Sequence, residues 1–359
     1  SLSLLRRAMA FNQLVIVTIG SAITGFITTI SLAYIGFGPN SMAIGAVVGN
    51  IATGVGAWTA RTDRNILLPS FSEWRALLNF GGQSALTNII TTIAMDINDL
   101  ALGKILGFTP VAIISRAQGL MNLFHRDIMT AIRGVAFPAF AKAYREGESL
   151  ETRYIASVAA VTVIAWPFYG FTAFYALELL RLMFGPQWDK AAILVPIFCL
   201  AGAFLATSSL ISSAIIAVGR IDLVTKSELL FQPLRAMLII AAAMIFKSLF
   251  ACAIAFLIAF ILYTPYAYIF KEHCIKNNYK DLLSNLWVSA KVTISALTLP
   301  AILAIHTGLD RSTPMSLSLL ISAAMCCGVI WLVALVVFKH PVTNDPLFKR
   351  ITCKLPCFA

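Results

Sequence analysis

The chain has 359 residues, 59% of them apolar and only 12% charged, yet its formal net charge is +11. Soluble domains hold about 45–50% apolar residues, so this excess excludes a water-soluble fold. The basic surplus then reflects orientation in a membrane rather than affinity for nucleic acid.

In chain order, long apolar segments run over 12–36, 41–58, 81–106, 109–134, 154–177, 191–218, 228–246, 248–270, 286–306 and 314–338. Lipid cannot satisfy free backbone groups, and these runs are too long and continuous for the alternating strands of a barrel. The expected fold class is all-α, a polytopic transmembrane bundle of about ten helices. Of the 27 lysines and arginines, nineteen fall at or near one set of span ends, six at the other, and Arg126 and Lys291 lie inside spans. The bias places both chain ends, and the loops after the second, fourth, sixth and eighth spans, in the cytoplasm. The chain opens on Ser1 with no leader-like segment, so its start is read as that of an incomplete sequence.

Polar residues inside the spans are the candidate functional groups, because each is costly in lipid unless it faces a cavity or a partner. In the third span Asn88, Thr92, Asp96 and Asp99 fall on one stripe at about 100° per residue. Asp96 and Asp99 are candidates for binding a proton, a sodium ion or sugar hydroxyls, or else for ordinary hydration and helix pairing. In the fourth span Ser115, Asn122, Arg126 and Arg133 share a stripe. Guanidinium stays charged and forks onto phosphate oxygens, so Arg126 is expected to line a water-filled cavity. Arg133 is expected to snorkel to the headgroups. Asp127 points about 100° from Arg126 on an α-helix, so no pairing between them is expected. Arg116 lies near the outer end of this span, and Arg235 one turn into the seventh after Pro233; each is either an anchor or a contact for an anion. Ser208, Ser209, Ser212 and Ser213 are read as helix-packing residues.

Phe184-Gly185-Pro186-Gln187-Trp188 is expected to form an interfacial turn. The seven cysteines and four histidines are scattered without metal-ligand spacing, so no metal, cofactor or disulfide framework is expected. There is no P-loop and no GxGxxG.

Three blocks then carry a resemblance. The first is Asp96-Ile97-Asn98-Asp99-Leu100-Ala101-Leu102-Gly103-Lys104-Ile105-Leu106-Gly107 with Ser115-Arg116-Ala117 and Phe137-Pro138-Ala139. The second is Phe184-Gly185-Pro186-Gln187-Trp188 followed by Val218-Gly219-Arg220-Ile221-Asp222, and the third Leu4-Leu5-Arg6-Arg7 with Phe11. In order and spacing these resemble the polysaccharide flippases of the MOP superfamily, over about residues 1–270. The resemblance implies two six-helix lobes around a central cavity, with residues 1–75 a remnant of the first lobe, lacking its first four spans. It makes 76–275 the complete second lobe and 276–359 two extra helices with a cytoplasmic tail.

It further implies export of an undecaprenyl-diphosphate-linked oligosaccharide across the bacterial inner membrane, with H+ or Na+ as a coupling ion and no covalent chemistry. Arg126, Arg116 and Arg235, with Asn122 and Asn88, become the expected substrate contacts, and Asp96 and Asp99 the expected ion-coupling pair. Two alternatives stay open: a cation-coupled drug antiporter of the same superfamily, and a membrane polymerase or ligase of the same pathway.

Overall fold

The computed structural model describes residues 11–60, 74–306 and 315–344. These are helical and hold no strand, with thirteen α-helices and short 3₁₀ and π segments. Eight helices of 20–28 residues are long and apolar enough to cross a bilayer, which makes the chain a multi-pass membrane protein. Two compact units divide at Trp74/Arg75.

The first unit contains a helical hairpin, α1 (Phe11–Tyr34) and α2 (Asn40–Thr59). Lipid gives no hydrophobic drive to helix pairing, so the two pack through small residues. A methyl group added at Gly45 would strike Thr29 and lie 3.0 Å from the Gly25 carbonyl. The other faces stay apolar and exposed, with Ile16, Phe26 and Trp58 outward.

The second unit holds the remaining helices. α3 (Trp74–Leu106) leads through Gly107 into α4 (Phe108–Asn122), a π turn (Leu123–Ile128) and α5 (Met129–Arg145). These segments are long enough to span but more polar than the other helices, because they carry the asparagines, aspartates and arginines picked out above. α6 (Leu150–Phe174) is capped by Ser149, whose Oγ accepts from the Thr152 amide. A short amphipathic helix, α7 (Ala176–Phe184), ends at Gly185, where φ of +91° favours glycine. A 3₁₀ turn (Pro186–Ala191) follows, and Arg181 forks onto Asp189 across the junction at 2.8 and 2.5 Å. Those hydrogen bonds hold the Asp189 carboxyl below its ordinary value.

The expected sixth span is a broken helix, α8 (Val195–Ser208) and α9 (Ile211–Ala217), interrupted at Ser209-Leu210. α10 (Ile221–Phe246) and α11 (Leu249–Glu272) form a hairpin turned by Lys247 in the left-handed conformation. α6 packs on α8, α8 on α11, and α10 on α11. Their shared core is aromatic, with Tyr154, Tyr169, Phe124, Phe140 and Phe198 fully buried. Tyr154 donates to Tyr268 at 3.2 Å and Tyr268 to the Thr207 carbonyl at 2.8 Å, so these two buried phenols are satisfied, whereas the Tyr169 hydroxyl is buried without a partner among the described residues.

α12 (Tyr279–His306) packs against α6 and against α13 (Leu317–Val337), and Trp331 of α13 donates through Nε1 to the Val163 carbonyl of α6 at 2.8 Å. Thr162, Ser289 and His340, all fully buried, form one hydrogen-bonded line at this contact. Thr162 Oγ1 donates to Ser289 Oγ at 3.2 Å, Ser289 Oγ lies 3.0 Å from His340 Nε2, and the Val342 amide donates to His340 Nδ1 at 3.2 Å. Nδ1 is therefore the unprotonated nitrogen. Burial at this helix end pushes the imidazole down from 6.5 to about 4.

Candidate functional site

The second unit encloses a cavity of about 680 Å³. Its wall comes from α3, α4, the π turn, α5, α8, α9, α10 and α11. The lining is mixed, with a hydrophilic side of Ser84, Thr87, Asn88, Thr91, Asn98 and Asp99 from α3 and Ser115, Gln118 and Asn122 from α4, and an apolar side that includes Phe198, Phe231, Phe256 and Phe260. Thr87 and Thr225 join α3 to α10 by a 2.8 Å hydroxyl contact.

Two arginines line it, one from α5 and one from α10. Arg133 on α5 donates through Nε to the Ser209 carbonyl at 3.3 Å, a carbonyl that the break between α8 and α9 turns toward it. Arg235 on α10 is 6% exposed and lies 5.9 Å from the Phe260 ring centre. Among the described residues neither arginine makes an ion pair. A guanidinium buried as Arg235 is, or half-buried as Arg133 is, without a direct ion pair is costly, and an anion would relieve that cost.

A second observation agrees. Asn98 Oδ1, His125 Nδ1, Gln232 Oε1 and Arg235 Nε are buried without a hydrogen-bond partner among the described residues, and all four side chains line this cavity. Buried polar atoms are nearly always satisfied, so such a cluster marks a wall built to meet a polar guest. The arrangement can hold an anionic group between the arginines and hydroxyl-rich groups along α3, α4 and the serines of α8 and α9. Among the described residues no group of three metal-ligating side chains is present.

The structure sorts the expected site residues. Asn88, Asn122, Asp99 and Arg235 lie on the wall. Asp96 belongs to α3, but its side chain lies outside the described residues. Arg116 is off the wall, its guanidinium 5.0 Å from the ring centres of both Phe184 and Trp188, and so ties α4 to the Phe184–Trp188 turn. Arg126 is also off the wall: it is 75% exposed and donates to Asp127 at 3.2 Å. Both the cavity placement of Arg126 and its expected lack of pairing with Asp127 are thus corrected.

Arg126 lies inside the π turn and Arg133 beyond it. The turn takes up about one residue more than an α turn, so residues beyond it are rotated by roughly 100° from an unbroken α-helix. Arg133 leaves the Arg126 stripe and lies on the cavity wall instead of at the headgroups, and His125, seven residues after Gln118, lines the wall as well. The four serines taken for packing residues line the cavity as well. Glu228, Gln232 and Tyr263 complete the wall and were missed. The signal for the two on α10 is the polar series Thr225, Glu228, Gln232, Arg235 at helical spacing; the expected 228–246 span puts Glu228 at its edge, whereas the helix begins at Ile221 and places Glu228 two turns inside.

Comparison with known proteins comes to the same class. The family described as "Polysaccharide biosynthesis protein" matches residues 1–193. The lipopolysaccharide biosynthesis protein WzxC of Escherichia coli (strain K12) is 22% identical over 305 residues, which are 82% of this chain and 60% of WzxC. The chain therefore spans about 60% of the length of that curated relative. No solved structure matches.

Proposed function

The chain belongs to the polysaccharide biosynthesis protein family, and on that footing we propose that it moves a lipid-linked oligosaccharide across the bacterial inner membrane. The cargo is an undecaprenyl-diphosphate-linked sugar unit, and both ends of this chain face the cytoplasm. The supporting observation is a cavity rich in hydroxyls and amides inside a membrane bundle, on whose wall neither Arg133 nor Arg235 makes a direct ion pair among the described residues. Arg133 and Arg235 take the diphosphate, while Asn88, Asn122 and the serines of α8 and α9 take sugar hydroxyls. Fixed cationic forks suit phosphate, and many short neutral groups suit a polyol. Asp99, and Asp96 beside it, are the candidates for H+ or Na+ coupling. No bond of the cargo is made or broken. Transport proceeds by alternating exposure of the cavity to the two faces of the membrane.

The test is surface polysaccharide in the source cell. Deleting the gene should remove it and re-expression should restore it. A Arg133→Gln/Arg235→Gln double variant, inserted at equal level, should leave the lipid-linked unit on the cytoplasmic leaflet. Full restoration by that double variant would rule out the cavity as the route.

A further inference from the structure

We propose that Glu228 is an internal counter-ion that competes with the ligand's anionic group for Arg235 and thereby sets how tightly that group is held. This rests on the reading of the cavity as an anion-carrying transport site.

Glu228 and Arg235 both line the cavity from α10, seven residues or about two turns apart. Side chains on a helix lean toward its N-terminus, so Arg235 leans back toward Glu228. Gln232 lies between them and donates through Nε2 to Glu228 Oε2 at 2.6 Å, while Gln232 Oε1 and Arg235 Nε keep no partner among the described residues. The carboxylate is close enough to act on Arg235 electrostatically, yet the two form no ion pair. From α11, Tyr263 is within electrostatic reach of Glu228, Arg133 and Arg235, and Tyr266 within reach of Glu228. Arg235 is thus attracted to Glu228 but not occupied by it.

A transporter needs that balance, because a site must bind well enough to load and weakly enough to unload. Without Glu228 two unopposed arginines would retain a polyanion. With a direct ion pair, Arg235 would be closed to it. Seven residues of helical rise separate the two positions by roughly 10 Å. At that distance one unit charge in a protein interior alters an equilibrium by about tenfold.

The experiment measures pyrophosphate binding to the full chain in lipid nanodiscs by calorimetry at low salt. Glu228→Gln keeps an oxygen that accepts from Gln232, so the local fold is retained. E228Q should bind pyrophosphate about tenfold more tightly than wild type, and R235Q should bind it more weakly. Unchanged affinity in E228Q, with R235Q weakened, would overturn the counter-ion role and leave the anion site standing. Equal binding by wild type, E228Q and R235Q, or binding by none, would overturn the anion-site reading and the inference with it.

Discussion

Acidification should loosen the last two membrane helices through a single imidazole. His340 is fully buried, its Nδ1 accepting from the Val342 amide and its Nε2 against Ser289. A proton on Nδ1 would remove that acceptor and place an unpaired charge beneath α12 and α13. The folded-state value of about 4 lies below the unfolded 6.5, so between them the unfolded chain takes up a proton that the folded chain refuses. The contribution of a neutral His340 is fully present above pH 6.5 and is lost as the pH falls toward 4. A difference of that size corresponds to about 3 kcal/mol, at 1.36 kcal/mol per pH unit. The assay is the apparent Tm of the intact protein in detergent at several pH values from 7.5 to about 4, for wild type and His340→Gln. Glutamine can accept from Val342 and donate to Ser289 but does not titrate. Wild type should lose stability over the window more steeply than H340Q. Parallel slopes for the two would refute the argument.

Three further outcomes follow from single contacts. Gly202→Ala should lower the apparent Tm, by an overpacking cost of about 1–3 kcal/mol, because the new methyl would sit 2.6 Å from Tyr169 Cζ and 3.0 Å from Met121 Cγ. Arg116→Ala should cost about 1 kcal/mol through two lost ring contacts, and crosslinking between α4 and the Phe184–Trp188 turn should become less uniform. Asp189→Asn should make the α7 turn more sensitive to protease at neutral pH. In wild type the same sensitivity should emerge only as the pH falls below the ordinary carboxylate range, since Arg181 holds Asp189 ionised to lower values.

Much of the architecture was legible because membrane helices announce themselves. Lipid leaves the backbone no alternative, and Gly185-Pro186 marks its own turn. The stripe on α3 was legible for a related reason, since Asn88 and Asp99 have no reason to sit in lipid. The arginines were harder. A periodicity argument assumes a constant pitch, and nothing in Leu-Phe-His-Arg-Asp-Ile declares a π turn. Arg126 and Arg133 therefore exchanged places between expectation and structure. Glu228 failed for a different reason: hydropathy sets a span's edge where apolarity begins, and a helix that enters the bundle on polar residues is cut short.

The π turn also makes the cavity's chemistry a matter of phase. Deleting one residue between Leu123 and Ile128 should let the α-helix run on unbroken and leave the downstream side chains in their present phase, because the turn has absorbed about that one extra residue. Straightening the turn at constant length is what shifts the phase: it rotates every side chain downstream by roughly 100° and withdraws the Arg133 face that now meets Ser209. The π turn acts like a gear tooth, so two homologous chains that align without a gap but differ in this turn present different faces of α5 to the same cargo.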